Sequence, residues 1–405
     1  MLITYDESLD QSAKIKVVGV GGAGGNAINR MIRNHMKGVE FIAVNTDAQA
    51  LNSNLADIKL QIGREYTRGL GAGAVSDTGQ KAAEESKEML AKVLEGADLV
   101  FITAGMGGGT GTGAAPVIAE ISRDLGALTV GIVTKPFLFE GPSRMKRADE
   151  GIMELKKYVD TLIVIKNQKL LEIVNTDTVI DEALYTADSI LNQATSGISD
   201  LITQTGIINL DFADIKTIMQ NMGNAVVGTA EASGPSRAVM AASMAISSPL
   251  LDNVSIKGAK GILINFTGGP DMKLSEIHEA SEIIHQEAGE ESDANIIFGM
   301  IVDENLSDII RVTVIATGFD KETAFQKTEN SPAEPPKSFI RPVTPQNMQT
   351  DIMNKEETDK KETKKETETH STEKVQAELF ANFGSGDLDD LDTPAWIRRQ
   401  KYSSN

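Results

Sequence analysis

Residues 107–113 read GGGTGTG, five glycines and two threonines with no bulky side chain, set between the apolar runs VFITAGM and AAPVIAE. A chain gives up side chains over such a length either to make a flexible linker or to lay bare backbone against a ligand. Strand and helix patterns abut the segment directly on both sides, which removes the linker reading. Two further glycine segments share its setting. GVGGAG, with Gly19, Gly21 and Gly24, follows the β-branched run IKVV and precedes a helical pattern. GLGAGA, 69–74, follows the apolar strand FIAV and its polar end Asn45, Thr46 and Asp47.

Taken alone, GVGGAG satisfies the dinucleotide fingerprint, with Asp47 at the spacing of the ribose-binding acid. A glycine turn made only for packing is the alternative. Three loops at the C-terminal ends of strands line one rim of a sheet, where open α/β folds bind ligands. Amides at helix N-termini hold anions there, and Thr110 and Thr112 can add hydroxyls. Several such loops suit a triphosphate better than a single pyrophosphate. No G-x-x-x-x-G-K-[ST] occurs and the loops carry no lysine. Backbone amides and Mg²⁺ must therefore offset the phosphate charge.

The rest of the chain supports a two-domain α/β protein. Apolar strands alternate with helical segments from residue 14, each strand apolar on both faces, as in a covered parallel sheet. Residues 181–204 read as one long helix, with Leu184, Ala187, Leu191, Ala194, Ile198 and Leu201 at three- and four-residue steps and Ile190 and Ile202 widening the stripe. Beyond it GAKGILINFTGG, NIIFGMIVDENL and DIIRVTVIATGF are strands, and GPSRAVMAASMA and LSEIHEASEIIHQ are helices. The expected fold is a Rossmann-like parallel-sheet nucleotide-binding domain, a long central helix, a second α/β domain and a disordered C-terminal tail. The expected boundaries are a flexible 1–13, a nucleotide domain 14–180, the helix 181–206, the second domain 207–318, a linker 319–386 and a terminal peptide 387–405.

Charge and composition exclude several functions. The formal charge is −19, of which residues 1–318 carry −15, so phosphate-backbone binding to nucleic acid lacks its basic face. There is no cysteine, and His35, His278, His285 and His370 lack metal-ligand spacing. The N-terminal MLITYDESLDQSAK has no signal-peptide order, and no apolar run approaches the ~20 residues that span a bilayer. These features suit a cytoplasmic protein without direct membrane insertion. The charge-balanced KEETDKKETKKETETHSTEK has nothing to bury. A solvated helix of Glu–Lys pairs is its alternative. As coil, the linker spans roughly 45 Å and presents LDDLDTPAWIRRQ, with the only tryptophan, Trp396, as a docking peptide.

One acidic segment remains. INLDFADI places Asn209, Asp211 and Asp214 just after the long helix. Asp211 can cap the next helix with Asp214 as its capping-box partner, or the carboxylates can serve chemistry; residue types leave both open.

GGGTGTG resembles the signature loop of the tubulin/FtsZ superfamily. With GVGGAGGNAINRM, PFLFEGPSRMKRADEG, GISDLIT, INLDFADI and GAKGILINFTGG in order over residues 13–318, the chain is similar to the FtsZ family of bacterial cell-division GTPases, and DTPAWIRR is similar to that family's terminal peptide. The resemblance implies GTP/GDP and Mg²⁺ as ligands. It implies that Gly21, Gly22, Asn26, Ala72, Gly73, Ala74, Gly105, Gly107, Gly108, Gly109, Thr110 and Gly111 hold the phosphates. Glu140 and Arg144 would meet the ribose, and Asn167 and Asp188 the guanine. Leu184 stands where the family commonly has a stacking phenylalanine, which implies weaker stacking with guanine selection kept by hydrogen bonds. Asn209, Asp211 and Asp214 would act on the water in a neighbouring subunit's pocket, Asp211 being also the cap and Asp214 freer to reach across. The implied partners are further copies of the chain, in head-to-tail filaments at the mid-cell division site, and division proteins, a membrane tether among them, on the Trp396 peptide. Val227 and Thr229 depart from the family's usual Met and Gly and bear only on local packing. A nicotinamide-dependent oxidoreductase leaves three loops unexplained, and a non-hydrolysing regulator leaves the intact acidic loop unexplained.

Overall fold

The structure is a computed structural model that describes residues 13–172, 180–204, 206–208, 210–251, 255–289, 294–304 and 306–319. The linker from 320, the Trp396 peptide, Asn209 and the side chain of Leu184 lie outside the described residues.

The N-terminal half runs β1 (Ile15–Val20), α1 (Gly21–Arg33), β2 (Val39–Asn45), α2 (Ala48–Asn52), β3 (Ile58–Gln61), α3 (Arg64–Thr67), α4 (Ser76–Glu85) and α5 (Lys87–Leu94). It continues through β4 (Leu99–Gly105), α6 (Thr110–Asp124), β5 (Leu128–Lys135), α7 (Pro142–Leu155), β6 (Thr161–Lys166) and α8 (Asn167–Leu170). The long helix is α9 (Ile180–Thr203). After it come α10 (Phe212–Met219), β7 (Gly223–Ser233), α11 (Arg237–Ile246), β8 (Gly261–Gly268), α12 (Leu274–Ala288), β9 (Asn295–Val302) and β10 (Ile309–Thr317).

The strands form one sheet in the order β3-β2-β1-β4-β5-β6-β7-β10-β8-β9. Every neighbouring pair is parallel except the two made by β10. The sheets of the two expected domains are thus continuous, joined where Thr161–Ile163 of β6 pairs with Gly223–Ala225 of β7. Strand order reverses between β1 and β4, and the crevice beyond their C-terminal ends is where such sheets hold ligands. GVGGAG spans the end of β1 and the start of α1, and GGGTGTG follows β4, so the fold brings both to that point.

Three apolar clusters cover the sheet. One lies under α1, α9 and α10, a second under α4 to α7, and the third under α11 and α12. Ala187, Ile190, Leu191, Ala194, Ile198 and Leu201 of α9 are all buried, as the stripe requires. The helix reaches the second half closely: a Cβ at Gly197 would lie 2.7 Å from Thr313 Cγ2. Of the two departures, Val227 is buried in the first cluster, and Thr229 Oγ1 shares a hydrogen bond with Thr313 Oγ1 at 3.1 Å. Among the described residues no helix is long and apolar enough to cross a membrane.

Two sequence expectations need correction. GLGAGA follows β3 and α3, not the second strand, because the short half-polar IKLQ is an edge strand with weak patterning. The helix expected from Ala114 begins at Thr110, and α1 begins at Gly21, so the glycine runs extend into the first helical turns. Close packing requires this. A Cβ at Gly24 would sit 2.4 Å from the Thr103 carbonyl oxygen, and one at Gly113 2.0 Å from that of Ser76. Helix propensity alone favours alanine over glycine by ~1 kcal/mol, yet Gly113→Ala is expected to destabilise by roughly 3 kcal/mol through overpacking. Urea unfolding checks it, and a raised midpoint would contradict the packing.

Candidate functional site

The glycine segments interlock. At Gly21, whose φ is +74°, a Cβ would lie 3.0 Å from the Gly111 amide nitrogen, so the N-termini of α1 and α6 meet. At Gly109 it would lie 2.8 Å from Ala72 Cβ, which fastens the 69–74 segment to the same place. At Gly107, φ +97°, it would lie 2.7 Å from the Arg144 carbonyl oxygen, which brings in the start of α7. Gly105 closes on Ala23 at 2.6 Å by the same measure. By contrast, a Cβ at Gly22, Gly73 or Gly108 would meet nothing within 4 Å. Those three line open space, and Asn26, Gly73 and Ala74 are exposed beside them. Two helix N-termini with free amides and aligned dipoles therefore face one cleft, an arrangement that favours anions.

Side chains brace the cradle. Thr46 Oγ1 and Thr110 Oγ1 share a hydrogen bond at 2.6 Å, tying the end of β2 to α6. Thr112 is buried and accepts from the Gly107 amide at 2.9 Å, so its hydroxyl shapes the loop instead of facing the cleft. Asp47 also acts locally. It caps α2, accepting from the Gln49 and Ala50 amides at 2.8 and 3.2 Å. Both of these bonds use Oδ1, so the acid that follows GVGGAG has a local role in the fold. Glu140 accepts from the Phe137 amide at 2.9 Å and pairs with Arg144 at 2.8 Å, which fixes the turn into α7.

Among the described residues, two acceptors on α8 and α9 have unmet hydrogen-bonding capacity. Asn167 opens α8 and is buried, and its Oδ1 has no partner. A buried, unpaired amide oxygen costs about 1–3 kcal/mol, so its presence suits a site that a ligand completes. Asp188, on the neighbouring α9, accepts no hydrogen bond among the described residues. Burial pushes its carboxyl up to about 6, while the Arg30 guanidinium pulls it back. Arg30 itself lies over the Tyr185 ring at 3.3 Å from the centroid. Sequence reading passed over Arg30; its signal is the four-residue step from Asn26 along α1.

The acidic segment lies elsewhere. Asp211 is the N-cap of α10, accepting from the Asp214 amide at 2.8 Å. The half-buried Asp214 carboxylate has no hydrogen bond or ion pair among the described residues, so the cap is one-sided and no capping box forms. Ile207 N–H donates to the Met300 carbonyl at 3.0 Å, pinning the approach to this segment onto β9.

Comparison with known proteins agrees with this geometry. Residues 14–175 match the Tubulin/FtsZ family GTPase domain, and residues 223–320 match the FtsZ family C-terminal domain. An FtsZ dimer structure from M. jannaschii is 47% identical with a TM-score of 0.73, over 77% of this chain and 90% of that one. A mutant of M. jannaschii FtsZ with tyrosine in place of a tryptophan gives 47% and 0.73, over 76% and 92%. CetZ2 from Haloferax volcanii, a GTPγS-bound protofilament, shares the fold at 20% identity and a TM-score of 0.63, over 76% and 94%. With both domains matched and the glycine cradle assembled at the switch point of the sheet, this chain belongs to the tubulin/FtsZ family, as a cell-division GTPase of its FtsZ branch.

Proposed function

We propose that the chain binds GTP in the glycine cradle and hydrolyses it only when the acidic segment of a second copy closes over the phosphates, in a head-to-tail filament. The length of α9 is the observation that carries this reading. Asp188 sits near its start and the acidic segment follows its end. From Asp188 to Thr203 the helix rises ~22 Å. Ile207 beyond it is bonded to Met300 of β9, the edge strand on the far side of the sheet from β1 and β4, which holds Asp211 and Asp214 away from a nucleotide whose base rests on Asp188 of the same chain. A heterologous contact that repeats without closing satisfies the distance.

The fit of guanine nucleotide rests on the unpaired Asn167 oxygen and the unpaired Asp188 carboxylate, which can accept from guanine N1–H and N2–H. Gly21, Gly22, Asn26, Ala72, Gly73, Ala74 and residues 107–111 take the phosphates, with Glu140 and Arg144 beside the ribose. Among the described residues no three His, Cys, Asp or Glu side chains are grouped to hold a metal. Mg²⁺ is read as held mainly by phosphate oxygens and water. Apolar side chains flank both halves of the proposed contact: Leu70 and Phe139 beside the cradle are 86% and 72% exposed, and Ile207 before the acidic segment is 69% exposed. Such a filament serves cell division at mid-cell, with the Trp396 peptide and its Arg398 and Arg399 binding an acidic, apolar groove on division partners, a membrane tether among them. The similar FtsZ structures come from M. jannaschii, and the reading is of cell division in general.

Specific GTP turnover measured across protein concentration tests it. A rate near zero below a threshold and rising above it is expected; a rate independent of concentration contradicts the shared site. A pH dependence also follows. Only ionised Asp188 accepts both guanine donors, and its carboxyl stands at about 6. Affinity is full above that value and weakens as pH falls through it, about tenfold between pH 7 and pH 5. The nucleotide phosphates titrate nearby, so the drop is compared with that of D188N, which lacks this component.

A further inference from the structure

A guanidinium with no ion pair among the described residues sits behind the glycine loop. Arg147 of α7 donates from Nε to the Gly107 carbonyl oxygen at 3.1 Å and from Nη1 to Ser143 Oγ, one turn back, at 3.2 Å. Among the described residues it has no carboxylate partner. The acids nearest it along α7 are taken: Asp149 pairs with Lys135 and Glu150 with Lys146. Its Nε–H is directed at one peptide of the loop.

That peptide is the one whose orientation matters. The Gly107 carbonyl and the Gly108 N–H belong to a single planar trans unit and point in opposite directions. Holding the carbonyl back toward α7 turns the Gly108 N–H the other way. Open space lies at Gly108, where a Cβ would touch nothing within 4 Å. The preceding amides are already fixed, Met106 N–H to the Thr134 carbonyl at 2.9 Å and Gly107 N–H to Thr112 Oγ1 at 2.9 Å. Two successive glycines leave the next peptide free to rotate unless something outside the loop holds it. A charged donor on the carbonyl both holds the peptide and polarises it, which strengthens its N–H as a donor.

We propose that Arg147 is a positioning residue for phosphate binding: it fixes the 107–108 peptide with its N–H toward the nucleotide phosphates and lends them positive charge through that peptide, without touching them. This rests on the reading that the loop cradles phosphates. It also explains how loops without a lysine hold a polyanion in an acidic protein.

The test is nucleotide affinity of the full chain by titration calorimetry, with GDP and with guanosine. R147M is expected to bind GDP about tenfold more weakly, 1.4 kcal/mol, while guanosine affinity stays within about twofold. R147K, which keeps a charged donor, is expected to regain most of the loss, and R147Q, a neutral donor, to fall between. A thermal melt of each nucleotide-free variant reports folding, and R147Q takes the place of R147M if the latter does not fold. Wild-type GDP affinity in the variant lacking the charge would overturn the proposal. So would a loss shared equally by guanosine, or one that R147K does not restore, since either marks a merely structural role. A wild-type chain that binds GDP no more tightly than guanosine would instead remove the phosphate-loop reading itself.

Discussion

Replacing Asp214 by Asn is expected to lower GTP turnover at least ~100-fold while leaving GTP affinity and filament formation intact. Phosphoryl transfer is catalysed by position and charge, and a carboxylate that orients the attacking water gives a large share of it. Carboxylates beside a triphosphate also repel it, so keeping them on another subunit separates binding from hydrolysis. Asp214 is suited to the role because its carboxylate is half-buried and unpaired among the described residues, whereas that of Asp211 is held in the cap of α10. The neighbouring position separates capping from chemistry. Asn caps helices as well as Asp does, so D211N keeps stability and loses turnover, while D211A loses ~1 kcal/mol in addition. Phosphate release, nucleotide titration and sedimentation of filaments read turnover, affinity and assembly separately. A D214N chain with wild-type turnover removes Asp214 from the chemistry.

Asp188→Asn is expected to weaken GTP binding roughly 100-fold, since two charge-assisted hydrogen bonds become at best one neutral bond and a clash of donors. The same change favours xanthosine triphosphate. Xanthine carries a carbonyl where guanine has its amino group, so the Asn amide can accept from N1–H and donate to that oxygen. Competition between the two nucleotides for D188N measures the switch. Unchanged preference for GTP in D188N means that the base rests elsewhere.

Much of this site is legible in the sequence, for physical reasons. Seven small residues between two apolar runs have few folded uses, and the glycine segments that follow β1 and β4 converge because the strand order reverses between those strands. The α9 stripe is legible because burial on two sides demands near-continuous small and apolar residues at helical steps. Helix starts are not. Glycine is a poor helix former, and only the contacts of Gly24 with Thr103 and of Gly113 with Ser76 explain why α1 and α6 begin inside glycine runs. β7 escapes for a related reason: GNAVVGTAEAS is small and weakly patterned, and its place is fixed by pairing with β6 and β10. Asp47 follows GVGGAG at the spacing of a ribose ligand and also caps α2, a role with the same local signature. Arg147 was invisible because its partner is a backbone carbonyl 40 residues away.

The shared active site is the central claim, and a mixing experiment tests it most directly. On the proposed reading D188N chains bind GTP roughly 100-fold more weakly and D214N chains lack a working acidic segment, so each alone is expected to be nearly inactive at GTP concentrations that fill only the D214N pocket. Combined, a D214N pocket can meet a D188N acidic segment, and turnover is expected to return in proportion to such contacts. A mixture that co-sediments as filaments and stays inactive would contradict a site built from two chains.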